Sequence, residues 1–366
     1  MWPNRRLTGL FKIEHPIVLS PMSRIGSVEL AAAVCAAGGL GSIGCALLSP
    51  EEAARDVRNM RALTDRPFSL NFFCHQPPAA DAGKDAAWLD RMLPYYDEYG
   101  MAFDAAAPRM AVDPFGEAMC RLVEDARPAV VSFHVGLPAA PFVDRIKAAG
   151  CLLISSATTV DEAIWLESHG VDAVIAQGTE AGGHRGTFLA DDVNKVIDTQ
   201  LGTFALVPQI VDMVRVPVIA AGGVADGRGI AAAFALGAAG VQMGTAYLRC
   251  PETTISPMYR DALRQVRSGA TVLTNVFTGR AGRALKNRLV SDVGPVSPDA
   301  PAFPGAIHAT MQLAAEMQRR GRADFTPFWA GQASPIGSEM PAEALTRALV
   351  EAALKHFRRP SMGPMA

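Results

Sequence analysis

Eight short runs of β-branched and small apolar residues punctuate the first two-thirds of the chain: IVLSPM (17–22), LGSIGC (40–45), PFSLNFFC (67–74), AVVSFHVG (129–136), LLISSAT (following Cys151), AVIAQG (173–178), VPVIAAGG (216–223) and GVQMGTAY (240–247). They are close to continuously apolar rather than strictly alternating, the pattern of strands buried on both faces of a parallel sheet. Most are followed by an Ala-rich amphipathic segment such as SVELAAAVCAAGG, SPEEAARDVRNMRAL, DEAIWLESHG or DGRGIAAAFALGA. The last of these ends on glycine, as helix C-termini commonly do. Eight strand–helix units over about 230 residues predict a TIM (β/α)8 barrel. An open, doubly wound α/β sheet is the architectural alternative.

Two segments break the repeat. An insertion between NFFC and AVVSF opens with the loop CHQPPAADAGKD and carries two candidate helices, AWLDRMLPYYDEYG and PFGEAMCRLVEDA. After QMGTAY no ninth strand–helix unit follows; a Pro-rich stretch, DVGPVSPDAPAFPG (292–305), leads into one helix, AIHATMQLAAEMQRRG. The expected organisation is a barrel over residues 10–250, a mostly helical cap over 251–336 lying above the barrel mouth with the insertion, and a C-terminal amphipathic helix and tail over 337–366.

Composition narrows the function classes. At 366 residues and 49% hydrophobic content the chain supports a sizeable core. A formal net charge of -2, without a dense basic cluster, argues against a nucleic-acid partner. Cys35, Cys45, Cys74, Cys120, Cys151 and Cys250 form no C-x-x-C pair and have no histidine at zinc spacing. They read as small buried hydrophobes in a reducing compartment, with no metal site. The N-terminal MWPNRRLTGLFKIEHP lacks an apolar signal-like core, and no run approaches the roughly 20 apolar residues of a membrane span, so a cytoplasmic location without a membrane partner is expected.

In a barrel of this kind chemistry gathers where strands end and loops begin. The seventh predicted strand ends in a Gly-Gly turn leading into a helix, and the eighth ends in glycine and threonine. Amides of Gly222, Gly223, Gly244 and Thr245 are thereby candidates for a phosphate cradle, with a helix N-terminus adding partial positive charge. A tight barrel turn is the bland reading of AAGG alone. Asn71, Gln177 and Gln242 are polar residues on apolar strands, and a buried amide left unpaired costs about 1–3 kcal/mol. Each can bond a barrel neighbour; three near one rim, beside a phosphate site, also suit the polar edge of a planar heterocycle. A flavin mononucleotide offers both groups, and a sugar phosphate is the competing ligand.

His184 follows Gly182 and Gly183 in AQGTEAGGHRGTF (176–188). Those glycines allow backbone to pass close to a ligand while the imidazole, near its ordinary pKa, takes a proton from an acidic carbon or pairs with an anion. His15, His134, His169, His308 and His356 read as structural, and His75 has no obvious anchor. Glu180 and Arg185 are either structural or tune the charge of His184 and gate anion entry.

SPMSRIGS, PFSLNFF, AQGTEAGGHRG, VIAAGGVADGRGIAAAFALGAAGVQMGTAYL, FTGRAGRALKNR and WAGQ together resemble the nitronate monooxygenase family, formerly called 2-nitropropane dioxygenases, over roughly residues 10–335. The resemblance implies an FMN-dependent TIM barrel that oxidises alkyl nitronates with dioxygen to carbonyl compounds and nitrite, without nicotinamide; propionate 3-nitronate and nitroalkanes are candidate substrates. It further implies that Pro21 and Met22 line the flavin ring, that Asn71, Gln177 and Gly182 bind the cofactor, and that Gly222 or Gly223 with Gln242, Met243, Gly244 and Thr245 hold the ribityl phosphate. His184 matches the catalytic base. Phe303, before Pro304, occupies the place where a family tyrosine commonly lines the substrate site. FMN-type enoyl-acyl-carrier-protein reductases and NADH:quinone reductases share the flavin barrel and are the competing activities; a non-redox barrel acting on a phosphorylated ligand is the reading from a different class.

Overall fold

The computed structural model describes residues 1–357 apart from 111, 191, 193 and 196. Eight parallel strands form one sheet: β1 (Ile17–Leu19), β2 (Gly41–Gly44), β3 (Phe68–Phe73), β4 (Val130–His134), β5 (Leu152–Ala157), β6 (Ala173–Gln177), β8 (Val218–Ala221) and β9 (Gly240–Met243). Neighbours in the sheet follow chain order, β9 pairs with β1, and a parallel bridge between Val18 and Leu40 closes the barrel next to β2. The open sheet is thereby excluded. Each of the eight apolar runs of the sequence contains one of these strands.

Side chains two residues apart share a face, so each strand divides cleanly. Val18, Val130, Ile154, Ile175 and Ile219 point inward and pack with Leu7 and Phe11 of the N-terminal helix Arg6–Phe11, which plugs the bottom of the barrel. A side chain at Gly240 would strike Leu7, so glycine there keeps the plug seated. Ile17, Leu19, Leu153, Val174 and Val218 point outward into the layer beneath the helices. That layer dominates the core.

Helix starts are specified locally. Ser49 caps Pro50–Leu63 in a reciprocal box with Glu52, and Pro50 occupies a position where a missing N–H costs nothing. Thr159 and Asp226 cap Val160–Ser168 and Gly227–Ala235 by accepting from amides of the first turn. The C-terminal helix Ala342–Phe357 packs against Gly227–Ala235 and Val28–Ala36, with Gly227 allowing its backbone to approach Ala352 and Ala353. The tail beyond Phe357 lies outside the described residues.

One small sheet has no counterpart in the sequence reading. Strands β10 (Thr271–Thr274) and β11 (Gly282–Leu285) form an antiparallel hairpin, and β11 pairs with β7, the two residues Gly183–His184. The segment after the barrel is therefore not helical throughout; its hairpin grips the backbone of the loop that carries the histidine. The insertion helix Ala82–Glu98 packs against Ile307–Arg319, around a second apolar cluster that includes Trp88, Tyr96, Leu313 and Phe325.

Candidate active site

The inward face that is aliphatic at the bottom of the barrel becomes polar at the strands' C-terminal ends. Two residues above the aliphatic layer, the same alternation brings Ser132, Ser156, Gln177 and Ala221 inward, with Asn71, Gln242 and His134 beside them. All of these line one cavity of about 340 Å³. Ser20, Pro21 and Met22 after β1, Gly182 to His184 after β6, Gly222 and Gly223 after β8, and Met243 to Thr245 at the end of β9 complete its inner wall. Every sequence-selected site residue, Phe303 included, lies on this one cavity.

The glycine turns face it with unused donors. Among the described residues the amides of Gly222, Gly223 and Gly244 have no protein acceptor. Gly222 and Gly244 are half-buried and Gly223 is exposed, so water reaches these donors, and three acceptor-free amides fronting one cavity fit an anionic ligand such as phosphate. Gly222 and Gly223 hold left-handed backbone, with φ of 109° and 72°, which favours glycine there independently of any ligand. One element of the sequence reading is corrected. The N-terminus of Gly227–Ala235 is occupied by the Asp226 carboxylate, which accepts from the amides of Arg228 and Gly229, so that helix does not serve the cradle. The uncapped turn Thr245–Tyr247, entered through Gly244, lies at the cavity instead.

The three amide side chains separate. Gln242 has no hydrogen-bond partner among the described residues, and Asn71 donates from Nδ2 to the carbonyl and hydroxyl of Ser132 at 3.2 and 3.1 Å while its oxygen stays without a partner. Gln177 is engaged at both ends. Its Nε2 donates to the His184 carbonyl at 3.0 Å, and its Oε1 accepts from the Gly186 amide at 2.8 Å. It holds the histidine loop. Gly182 also has a packing role, since a side chain there would meet Ala330 and Gly331 of the WAGQ segment.

His184 is fixed from several sides. Its backbone pairs with Gly282, and its ring packs against Trp329 at 4.7 Å, Phe303 at 5.3 Å and Phe73 at 6.2 Å between centroids. Its Nε2 lies 2.9 Å from Thr278 Oγ1, whereas Nδ1 has no protein partner among the described residues. Burial, then the positive charge of Arg280 and the proximity of His134, push its pKa down to about 3. The imidazole is thus neutral across the physiological range, a correction to the near-ordinary pKa expected from sequence.

Beneath the loop sits a buried charge cluster. Arg185 donates to the carbonyls of Gly178 and Gln177, Arg280 to those of Arg185 and Thr187, and Arg283 to that of Thr179. Arg185 is 1% exposed, so its role is structural and it does not gate the cavity. Glu162 accepts from the amides of Thr158 and Phe188, and Glu180 from the amide and hydroxyl of Thr203. Desolvation lowers the pKa of Arg280 to about 10 and of Arg185 to about 9, values that leave both charged at neutral pH. Of these guanidinium groups Arg280 is the one that acts on His184, and it makes the floor under the ring positive.

His134 is a satisfied structural histidine, as its sequence context suggests, and it and residues without a sequence signal also stand at or beside the cavity. His134 lines the cavity with both ring nitrogens bonded: Nδ1 to Ser156 Oγ at 2.5 Å and Nε2 to the His184 carbonyl at 3.0 Å. A carbonyl only accepts, so Nε2 carries the proton and Ser156 donates to Nδ1. Burial holds this imidazole down to about 4. The i, i+2 pairing of Ser132 and His134 at the end of a predicted strand was the available signal. His75, expected to lack an anchor, is 5% exposed and packs its ring against Phe303 at 5.0 Å. Thr278 and Trp329 come from segments with no strand-end signature.

Comparison with known proteins agrees with this architecture. The family model described as nitronate monooxygenase matches residues 4–352. The chain is 42% identical over 347 residues to a protein named nitronate monooxygenase from Paraburkholderia phytofirmans, covering 94% of each. Among solved structures it is similar to nitroalkane oxidase from Streptomyces ansochromogenes, with a TM-score of 0.87 and 34% identity over 96% of this chain and 98% of the other. It is also similar to FabK from Thermotoga maritima, with a TM-score of 0.74 and 28% identity over 98% of each chain.

Proposed function

This chain belongs to the nitronate monooxygenase family, a family of oxidoreductases, and we propose that it binds FMN and oxidises alkyl nitronates with dioxygen to carbonyl compounds and nitrite. One observation carries the reading: among the described residues, acceptor-free amides at Gly222, Gly223 and Gly244 share a cavity with a neutral histidine whose Nδ1 is unpartnered. The donor set fits FMN. The glycine turns take the phosphate, and Asn71 Oδ1 and the Gln242 amide meet the polar edge of the ring, with Pro21, Met22 and Met243 along its face. Gln177 acts one step removed, through the loop it braces. When bound, FMN supplies the electron acceptor for the nitronate.

The protein's own groups do the rest. A neutral nitroalkane must lose a proton from carbon before it is a nitronate, and His184 is the base within reach of the cavity. Thr278 has one hydroxyl proton. Directed at the Arg280 carbonyl, 3.3 Å away, it leaves Thr278 Oγ1 to accept from His184 Nε2–H, so Nδ1 is the atom that takes the substrate proton. An imidazole of such low basicity takes the proton as the nitronate charge develops beside it, the imidazolium and the anion stabilising each other as they form. The positive floor beneath His184 stabilises that anion. Phe73, Phe303 and Trp329 exclude water around it.

Oxygen consumption by the purified flavin-loaded protein on a pre-formed nitronate, with no nicotinamide added, tests this function. Activity that appears only with NADH or NADPH refutes it. The FabK similarity favours a second reading, an FMN-dependent NAD(P)H reductase acting on an enoyl thioester or a quinone, and rapid flavin bleaching by nicotinamide is its signature.

A further inference from the structure

No carboxylate serves the ring of His184. Among the described residues it bonds only Thr278, and the charged or titratable groups that bear on it are Arg280 in the turn before β11, His134 at the end of β4 and His75 just beyond β3. All three work against a second proton on the imidazole. The cavity's acidic residue, Glu180, is bonded to Thr203. What surrounds the imidazole instead is aromatic surface. The Trp329 ring lies 4.7 Å away between centroids at 46°, Phe303 at 5.3 Å and 68°, and Phe73 at 6.2 Å and 89°. The fold makes room for the indole there: Trp329 bridges Ala284 of β11, its carbonyl accepts from the Tyr259 hydroxyl, and a side chain at Gly282, the residue paired with His184, would strike the indole at 2.7 Å.

Resting on the function proposed above, we infer that Trp329, supported by Phe303 and Phe73, stabilises the imidazolium that His184 becomes as it takes the substrate proton, the part a carboxylate plays beside many catalytic histidines. In that step a C–H bond of the nitroalkane breaks, its electron pair passes into the nitro group to give the nitronate, and the proton goes to His184 Nδ1. The charge that then spreads over the imidazole falls within the roughly 6 Å of a ring centroid over which a π face attracts a cation, and indole does so more strongly than phenyl. A neutral imidazole gains little from the same contact. The attraction therefore grows as the proton arrives and lowers the barrier without tightening the resting state. A carboxylate in this place would favour the protonated ring at rest and leave it less able to act as a base. Trp329 acts through the histidine, so a pre-formed nitronate, which gives up no proton, gains nothing from it.

Fluorination withdraws electron density from an indole face while nearly keeping its size, so the test replaces the chain's four tryptophans with 5-fluoro-, 5,7-difluoro- and 5,6,7-trifluorotryptophan. Oxygen uptake by each FMN-loaded protein gives kcat/KM on 1-nitropropane and on its pre-formed nitronate. Expected is a fall of about twofold per fluorine on 1-nitropropane, with the nitronate value constant within about 1.5-fold. Trp329→Phe keeps a weaker ring; it should lose about threefold on 1-nitropropane alone and no longer respond to fluorination of the remaining tryptophans. No graded loss, an equal loss on the nitronate, or a graded loss that persists in Trp329→Phe overturns the inference while leaving nitronate oxidation intact. So does a parent protein that oxidises the nitronate but not 1-nitropropane. A parent that oxidises neither overturns the proposed function as well. Trp329→Leu, which removes the π face, should lose about 30-fold on 1-nitropropane and keep nitronate oxidation within about threefold; comparable losses on both forms count against the aromatic contribution.

Discussion

His184 Nε2 and Thr278 Oγ1 lie 2.9 Å apart, joining a histidine on the loop after the sixth barrel strand to a hydroxyl in the turn between β10 and β11. The contact fixes the ring at one nitrogen and leaves the other without a partner among the described residues. It also ties the reactive group to the turn of the hairpin that follows the barrel.

If Thr278 sets the tautomer, Thr278→Val should cut kcat/KM on neutral nitroalkanes about tenfold and leave pre-formed nitronates nearly unaffected, since only the first require proton abstraction. Thr278→Ser should restore the loss. Equal losses on both substrate forms, or no rescue by serine, would assign Thr278 to packing alone.

His184→Asn removes the base but keeps a polar group of similar size. Turnover of neutral nitroalkanes should fall by about 10²–10⁴, the usual span for a general base, with oxidation of pre-formed nitronates within about tenfold of the parent. Steady-state oxygen uptake with each substrate form decides it, and parallel losses speak against proton transfer at this residue.

Gly244 has negative-φ, right-handed backbone, with φ of -114° and ψ of -70°, and a Cβ placed there meets Ser20 at 3.1 Å and Met22 Sδ at 3.9 Å, so a larger side chain is compatible with the fold at modest adjustment. Its cost should fall on the ligand. Gly244→Val is expected to weaken FMN binding at least tenfold by fluorescence titration, with the far-ultraviolet spectrum unchanged. Undiminished FMN affinity removes the proposed cradle.

Acid should destabilise the protein through its neutral histidines. His134 and His184 have native pKa values of about 4 and 3, below the ordinary 6.5 of the unfolded chain. The unfolded state therefore binds protons that the native state excludes. Their stabilising contribution is complete above about pH 6.5 and falls as pH drops toward the native values, by about 1.4 kcal/mol per pH unit for each histidine. Chemical denaturation from pH 7 to 5 should show this slope, and His134→Gln should reduce it by one histidine's share. An identical slope in the variant contradicts a neutral His134.

The barrel was legible because its strands are buried on both faces and read as apolar runs, and because each loop begins with its own punctuation: Ser49 before Pro50, Thr159 before Val160, the paired glycines 222 and 223. The same strand ends revealed Asn71, Gln242 and His184. What stayed hidden depends on tertiary pairing. Thr271–Thr274 and Gly282–Leu285 have no apolar run to announce them and become strands by pairing with each other and with two residues of the histidine loop. The depressed pKa of His184 likewise comes from Arg280, distant in sequence, and Gln177 turned inward only to brace a loop.

The central claim is electron transfer from nitronate to a flavin held in this cavity. It is tested most directly by mixing the FMN-loaded protein with a pre-formed alkyl nitronate in the absence of oxygen, and separately with NADH or NADPH, while recording the flavin spectrum. Loss of the oxidised flavin band on nitronate, with no response to nicotinamide, is the expected result. Rapid bleaching by nicotinamide and none by nitronate would contradict it and identify a reductase.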